Sequence, residues 1–315
     1  MRGATARARA ASPGPLGDRV LKLVSWTAGV FIVVVLGAVF VELVWHSRLS
    51  IARFGFRFLV SEEWNPATGE FGALSSIYGT VVATIIAMVL AAPTSVLLAV
   101  GLVELAPGWL AKIVGQAVEL LAAIPSIIYG MWGLFVLGPL MADYVQPALS
   151  RWLGFLPLFE GPPMGIGMLT AGVVLAVMVL PYMTAVVRDV LVMTPRELKE
   201  AAYGMGATTW EVTTKITLRH GMKGVVGGML VGLGRALGET MAVTFVIGNT
   251  HQISASLFMP ANTITSTLAN EFAEAADPLY LSALTELGLI LLLITFAVGA
   301  ITQLVLGRYA SGGRP

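Results

Sequence analysis

The sequence contains no cysteine. Disulfide frameworks, cysteine-type zinc sites and thiol catalysis are therefore excluded. Charge is also scarce: 19 basic and 18 acidic side chains make up 12% of 315 residues, against about 25% in a soluble domain. So few charged groups cannot cover a water-soluble globule of this length, which excludes both a soluble enzyme and a disordered chain. The net charge of +1 leaves no global basic field, so no nucleic acid partner is expected. Histidine occurs only as His46, His220 and His251, with no His-Glu-x-x-His pair, so a zinc protease is unsupported. No serine lies in a Gly-x-Ser-x-Gly elbow. None of the five lysines follows a glycine, so there is no Walker A phosphate loop. No metal, cofactor or enzymatic activity of its own is expected of the chain.

What is abundant is apolar: 57% of residues are hydrophobic and mean hydropathy is +0.84. Crossing about 30 Å of hydrocarbon takes about 20 helical residues. Charge-free runs of that order occupy 23–41, 71–103, 120–142, 161–187 and 287–307. A further run, 224–248, is interrupted only by Arg235 and Glu239. These runs are continuously apolar rather than alternating, which excludes a β-barrel. The sequence predicts an all-α polytopic membrane protein with six transmembrane helices.

Lysine and arginine collect on alternate sides. The segments 1–22, 104–119 and 188–223 and the C-terminal tail hold fourteen, whereas 46–70, 143–160 and 249–286 hold four. The positive-inside rule places both termini in the cytoplasm. The tail with Arg2, Arg7, Arg9, Pro13 and Pro15 is expected to be disordered. The apolar run after it is too long for a cleaved signal, so a retained first helix is expected. Outside the membrane, 46–70 interleaves Arg48, Arg53 and Arg57 with Phe54, Phe56 and Phe58. It is read as a connector with interfacial aromatic residues.

The 188–223 segment predicts two short helices. Thr194-Pro195-Arg196-Glu197 and Thr208-Thr209-Trp210-Glu211 both have capping-box spacing, and Gly204 and Gly206 break the first helix. An exposed helix pair suits docking of a partner. In this pair, Glu200-Ala201-Ala202, three residues, Gly206, nine residues, Ile216 and Leu218 resemble the EAA loop of ABC importer permeases. In that family the loop docks in a groove of the ATPase subunit. The family's usual proline after this leucine is Arg219 here.

The resemblance narrows to phosphate permease subunits of the PstC type. It is carried by 232–242 (Gly-Leu-Gly-Arg-Ala-Leu-Gly-Glu-Thr-Met-Ala), Ser256-Leu257-Phe258-Met259-Pro260, Leu268-Ala269-Asn270-Glu271-Phe272, Val103-Glu104-Leu105-Ala106-Pro107 and Ile124-Pro125-Ser126. It spans roughly residues 55–307. It implies a five-helix permease core at 71–307, with coupling loop 188–223 and helix 23–45 as an added N-terminal anchor. Residues 46–70 would be an external connector, and 1–22 and 308–315 cytoplasmic tails. The implied partners are a related second permease subunit, a pair of ATP-binding subunits and an extracytoplasmic phosphate-binding protein. Inorganic phosphate is the implied substrate, and the bacterial inner membrane the location. Glu200, Ala201, Ala202 and Gly206 would couple to the ATPase.

The residues themselves identify one further site. Arg235 lies 12 residues past Lys223, about 18 Å along a helix and so near mid-membrane. Glu239 would be one turn on, on the same face. An arginine there costs at least about 2.5 kcal/mol on insertion scales and should face a cavity or partner. Its planar fork suits phosphate. Two readings stand: a translocation pathway through Arg235 and Glu239, or a structural ion pair. An alternative class, an ion-coupled secondary carrier of an anion, would use the same pair but leave the folded 188–223 loop without a role. Glu119 and Glu286 read as carboxylates snorkelling at span edges. Pro93, Pro125 and Pro181 read as kinks inside spans. The external loop 249–286 carries Glu271, Glu274, Asp277 and Glu286 and no lysine or arginine.

Overall fold

The computed structural model describes the backbone of residues 15–311 and the side chains of residues 17–304. Among these residues the fold is helical, with two isolated bridges and no strand. Of the tail 1–22 expected to be disordered, residues 1–14 lie outside the described residues, whereas 15–22 are helical and form the start of the first helix.

Helix α1 (Pro15–Phe54) is 40 residues long. It passes the boundary at residue 45 that charge counting sets, so Arg48 and Arg53 lie on its last turns. A short turn, Arg57–Val60, follows. Helix α2 (Leu74–Val100) continues through a π-helical turn, Gly101–Leu105. Helix α3 (Gly108–Ala122) precedes α4 (Ser126–Leu153). Helix α5 is Met168–Val192 and α6 is Arg196–Gly204. The turn Thr209–Glu211 and a π-helical stretch, Val212–Thr217, lead into α7 (Leu218–Leu237). Then come α8 (Met241–Val246), α9 (Ile264–Glu271) and α10 (Pro278–Ser311).

Five of these helices are long and apolar enough to cross a membrane: α1, α2 with its π-turn, α4, α5 and α10. The sixth crossing expected over 224–248 is broken. Helix α7 ends at Leu237 and α8 restarts at Met241. The third crossing also differs: it begins after Pro125, which stands at the N-cap of α4 rather than inside a span, and continues past Asp143. Residues 108–122 form a separate helix packed on α5. Charge-free runs mark where side chains tolerate lipid, not where the backbone turns, and Pro125 biases its predecessor away from helix.

The centre of the fold is α2 packed on α5. On α2 the buried positions Ser76, Thr80, Ala83, Ala87, Ala91, Ser95 and Ala99 recur every three or four residues and are all small. Such a seam lets helices approach closely, which is how association is driven where the solvent is itself apolar. Large side chains of α5 fill against it: Leu175, Met178 and Met183 are fully buried. Pro93 and Pro181 remain inside α2 and α5.

Helix α7 reaches α5 by the same device. A Cβ at Gly221, Gly224, Gly228 or Gly232 would meet Leu191, Val190, Val186 or Met183 of α5. Helix α1 packs on α10 and otherwise exposes valine, leucine and phenylalanine along its length. A second apolar cluster closes the end of the molecule opposite α6, where Phe58, Phe71, Ile264, Leu284 and Leu287 are buried together.

Candidate functional site

The break between α7 and α8 falls between Arg235 and Glu239, the two charges within the apolar run 224–248. From Lys223 to Arg235 the backbone is helical, so Arg235 stands about 18 Å beyond Lys223 along α7. Its guanidinium is exposed in the isolated chain and lies 5.7 Å from the centre of the Tyr182 ring on α5, within cation–π range. Among the described residues Arg235 makes no ion pair, whereas the sequence places Glu239 on the same helical face one turn on. The helix stops at Gly238, and the Glu239 carboxylate accepts a hydrogen bond from the Ala242 amide at 3.2 Å instead. Glu239 thus satisfies a free amide at the start of α8. Its own carbonyl accepts from the Thr265 hydroxyl at 2.7 Å, tying the break to α9. A small hydroxyl-lined crevice beside it is formed by Thr80, Thr84, Thr263 and Thr265. The geometry offers an unpaired arginine fork beside an aromatic face, with the nearby carboxylate occupied elsewhere.

In the 188–223 segment α6 runs through Gly204 rather than breaking there, and the second short helix expected is instead the start of a helical run, 209–237, that continues into α7. Gly206 has φ +86 with open space around it, a conformation in which only glycine is unstrained. Glu200 and Ala201 are exposed and Ala202 is buried. The Thr208 capping box is complete: the Thr208 hydroxyl accepts from the Glu211 amide, and the Glu211 carboxylate accepts from the Thr208 amide. The Lys215 ammonium, with the Thr208 amide and hydroxyl, holds the Glu211 carboxyl down at about 2. The Thr194 box does not form. The Thr194 amide closes the last turn of α5 on Leu191, its hydroxyl is buried without a partner, and Pro195 occupies the N-cap. Sequence reasoning missed the apolar side chains around Gly206: Met205 is 84% exposed and Trp210 76%.

Three other groups were not read from the sequence as placed. Glu119, expected to snorkel, pairs with Arg188 of α5 at 2.7 Å. Glu286 is 7% exposed inside α10 rather than at an edge. Glu271 accepts hydrogen bonds from Trp64 at 2.7 Å and from Tyr280, and lies 2.8 Å from His251. His251 stacks on Trp64 and lies 2.9 Å from the Asn262 amide nitrogen. Burial raises the Glu271 carboxyl, but the bonds from His251, Tyr280 and Trp64 outweigh it and hold it below the usual range. Two of the four acids read as an external acidic field are therefore turned inward. Only tertiary structure reveals this: the Trp64 that donates to Glu271 is 207 residues away in sequence.

Comparison with known proteins gives a consistent picture. Residues 91–310 match the family described as binding-protein-dependent transport system inner membrane component. The chain is 50% identical over 297 residues to the phosphate transport system permease protein PstC of Mesorhizobium japonicum, covering 93% of this chain and 91% of that protein. It is 52% identical over 283 residues to the protein of the same name from Pasteurella multocida, covering 89% and 88%. Its fold is similar to a chain in the crystal structure of a bacterial ABC transporter involved in the import of the acidic polysaccharide alginate. That match has TM-score 0.62 and 16% identity, and covers 92% of this chain and 96% of the other.

Proposed function

This chain belongs to the family of binding-protein-dependent transport system inner membrane components, and from that premise we infer that it is the permease subunit of an ATP-driven phosphate importer. The observation that carries the reading is near-full-length identity of about half the residues with phosphate permease subunits. The chain is a multi-pass membrane protein and a transport subunit, and ATP hydrolysis belongs to a partner. We read residues 71–307 as the permease domain and α1 as an added anchor. Both termini are in the cytoplasm of a bacterial cell, which the lysine and arginine asymmetry supports.

In this reading the chain forms half of the pathway and a related permease forms the other half. Arg235 faces that shared space. Its fork can donate two bonds to a phosphate oxygen pair, and the Tyr182 ring holds the guanidinium from one side. The Glu239 carboxylate caps α8 and, among the described residues, makes no ion pair with the arginine, which leaves the guanidinium donors for an anion. Glu200 and Ala201 present the docking face to an ATP-binding subunit, and Gly206 sets the turn beside them. Exposed Met205 and Trp210 extend that face with apolar area. A binding protein outside delivers phosphate.

The test is reconstitution with the presumed partner subunits in vesicles. Uptake of labelled phosphate should require both internal ATP and the binding protein. Uptake that persists without the ATPase subunit, driven by an ion gradient, would establish the secondary-carrier alternative instead.

A further inference from the structure

We propose that Glu104 is the positioning residue through which displacement of α6 reaches the membrane helices. The proposal rests on the reading that α6 docks on an ATPase subunit. Glu104 lies on the π-helical turn that ends α2. One carboxylate oxygen, Oε1, accepts from Lys199 Nζ at 2.6 Å and from Thr217 Oγ1 at 2.8 Å. Lys199 is on α6, next to the exposed Glu200. Thr217 closes the π-helical stretch that leads into α7 and is fully buried. A single oxygen thus joins α2, α6 and α7, from segments 95 and 113 residues apart.

The join is enclosed. The Glu104 side chain is 6% exposed and that of Lys199 is 18% exposed. An ion pair shielded from water is screened far less than one on the surface, and removing one partner leaves a charge buried without compensation. The Lys199 bond is also the one side-chain hydrogen bond from α6 to another helix among the described residues. Displacement of α6 must therefore either break this bond or carry the ends of α2 and α7 with it. The second course keeps the buried Glu104 charge compensated. Helix α7 carries Arg235 18 residues beyond Thr217, about 27 Å away along the axis. A shift at the base of α7 is thus delivered to the arginine at mid-membrane. A polar pair sets one discrete geometry, which apolar packing of α6 on 212–217 alone does not.

The experiment uses the reconstituted complex and measures labelled phosphate uptake, ATP hydrolysis and complex yield on the same preparation. Glu104→Gln and Lys199→Met should assemble and hydrolyse ATP. Phosphate moved per ATP should fall at least about five-fold, within the range that coupling residues control. Lys199→Arg should retain most of the ratio. An unchanged ratio in both charge-removing variants overturns the proposal, and so does a parallel fall of uptake and hydrolysis at unchanged yield, which leaves that ratio as it was. If either single variant fails to assemble, the double variant Glu104→Gln/Lys199→Met, which buries no unpaired charge, is judged by the same ratio. The underlying reading is tested separately by the native complex. If its own uptake is independent of ATP, the ATPase reading fails; if its uptake needs ATP and the variants keep its ratio, only the role of Glu104 fails.

Discussion

Arg235 and Glu239 are four residues apart, and their separation by the helix break makes different predictions for each. Arg235 is exposed and unpaired, so Arg235→Lys should leave complex yield intact. Uptake should drop about ten-fold, the equivalent of one charge-assisted hydrogen bond of about 1.5 kcal/mol, because lysine keeps the charge and loses the fork. Normal uptake in that variant would remove Arg235 from the pathway. Glu239 acts on the backbone, so Glu239→Gln retains an acceptor for the Ala242 amide. It should be milder than Glu239→Leu, which loses a cap of about 1 kcal/mol. Equal thermal stability of the two variants would show that the cap contributes nothing. Glu271 makes a pH prediction. Its folded pKa is depressed, so its stabilising contribution is complete above the unfolded value of about 4.3. That contribution is lost as pH falls through the lower folded value. Thermal unfolding of the native chain should therefore show an extra loss of Tm on acidification below about pH 4. Glu271→Gln should be less stable at neutral pH and should lack that acid-dependent component.

At the scale of elements, α7 is defined by what it lacks on one side. Gly224 faces the branched Val190 of α5, whereas Gly227, on another face of the same helix, has no neighbour within 4 Å. A branched side chain has few rotamers with which to retreat. Gly224→Leu should lower the stability of the solubilised chain by about 1–3 kcal/mol, the usual cost of overpacking. Gly227→Leu should leave it nearly unchanged in the same thermal melt. Equal melts would mean that α7 does not need close approach to α5. The break that ends α7 has the same logic. At the break the Glu239 carbonyl accepts from the Thr265 hydroxyl, and the Ala242 amide donates to the Glu239 carboxylate. Broken backbone at membrane depth is tolerated where protein can satisfy it in this way.

For the whole molecule the testable property is sidedness. The chain has no native cysteine, so single cysteines report cleanly. Thr209 and Glu274 are both exposed and belong to opposite ends of the fold. In intact spheroplasts a cysteine at 209 should be protected from an impermeant thiol reagent, and one at 274 should react. Labelling at 209 from outside would invert the topology and put the docking helices on the wrong side. Asn262, in the same 249–286 segment as Glu274, is unsuitable for this purpose: it is 1% exposed, and its carbonyl lies where a Cβ on Gly79 would be.

Local composition determines a good deal of this protein. Lipid tolerance is a property of side chains one at a time, so the all-α membrane class and five of the long helices follow from charge-free runs. Gly206 was legible because a glycine between two helical patterns, each with its own start signal, has one conformational use there. Arg235 stands out in the sequence because a guanidinium inside an apolar run is costly wherever the chain puts it. The tertiary structure decided what depends on distant partners. The hydropathy of 224–248 is nearly continuous, yet α7 ends at Leu237 because Thr265 and Glu239 can satisfy the freed backbone. The Thr194 and Thr208 boxes read alike in sequence, but only the second forms, since the Thr194 amide is already committed to closing α5. The Glu104–Lys199–Thr217 join and the inward turn of Glu271 leave no trace in periodicity. Each is a meeting of segments far apart in the chain, and electrostatic contacts of that kind are set by packing rather than by spacing.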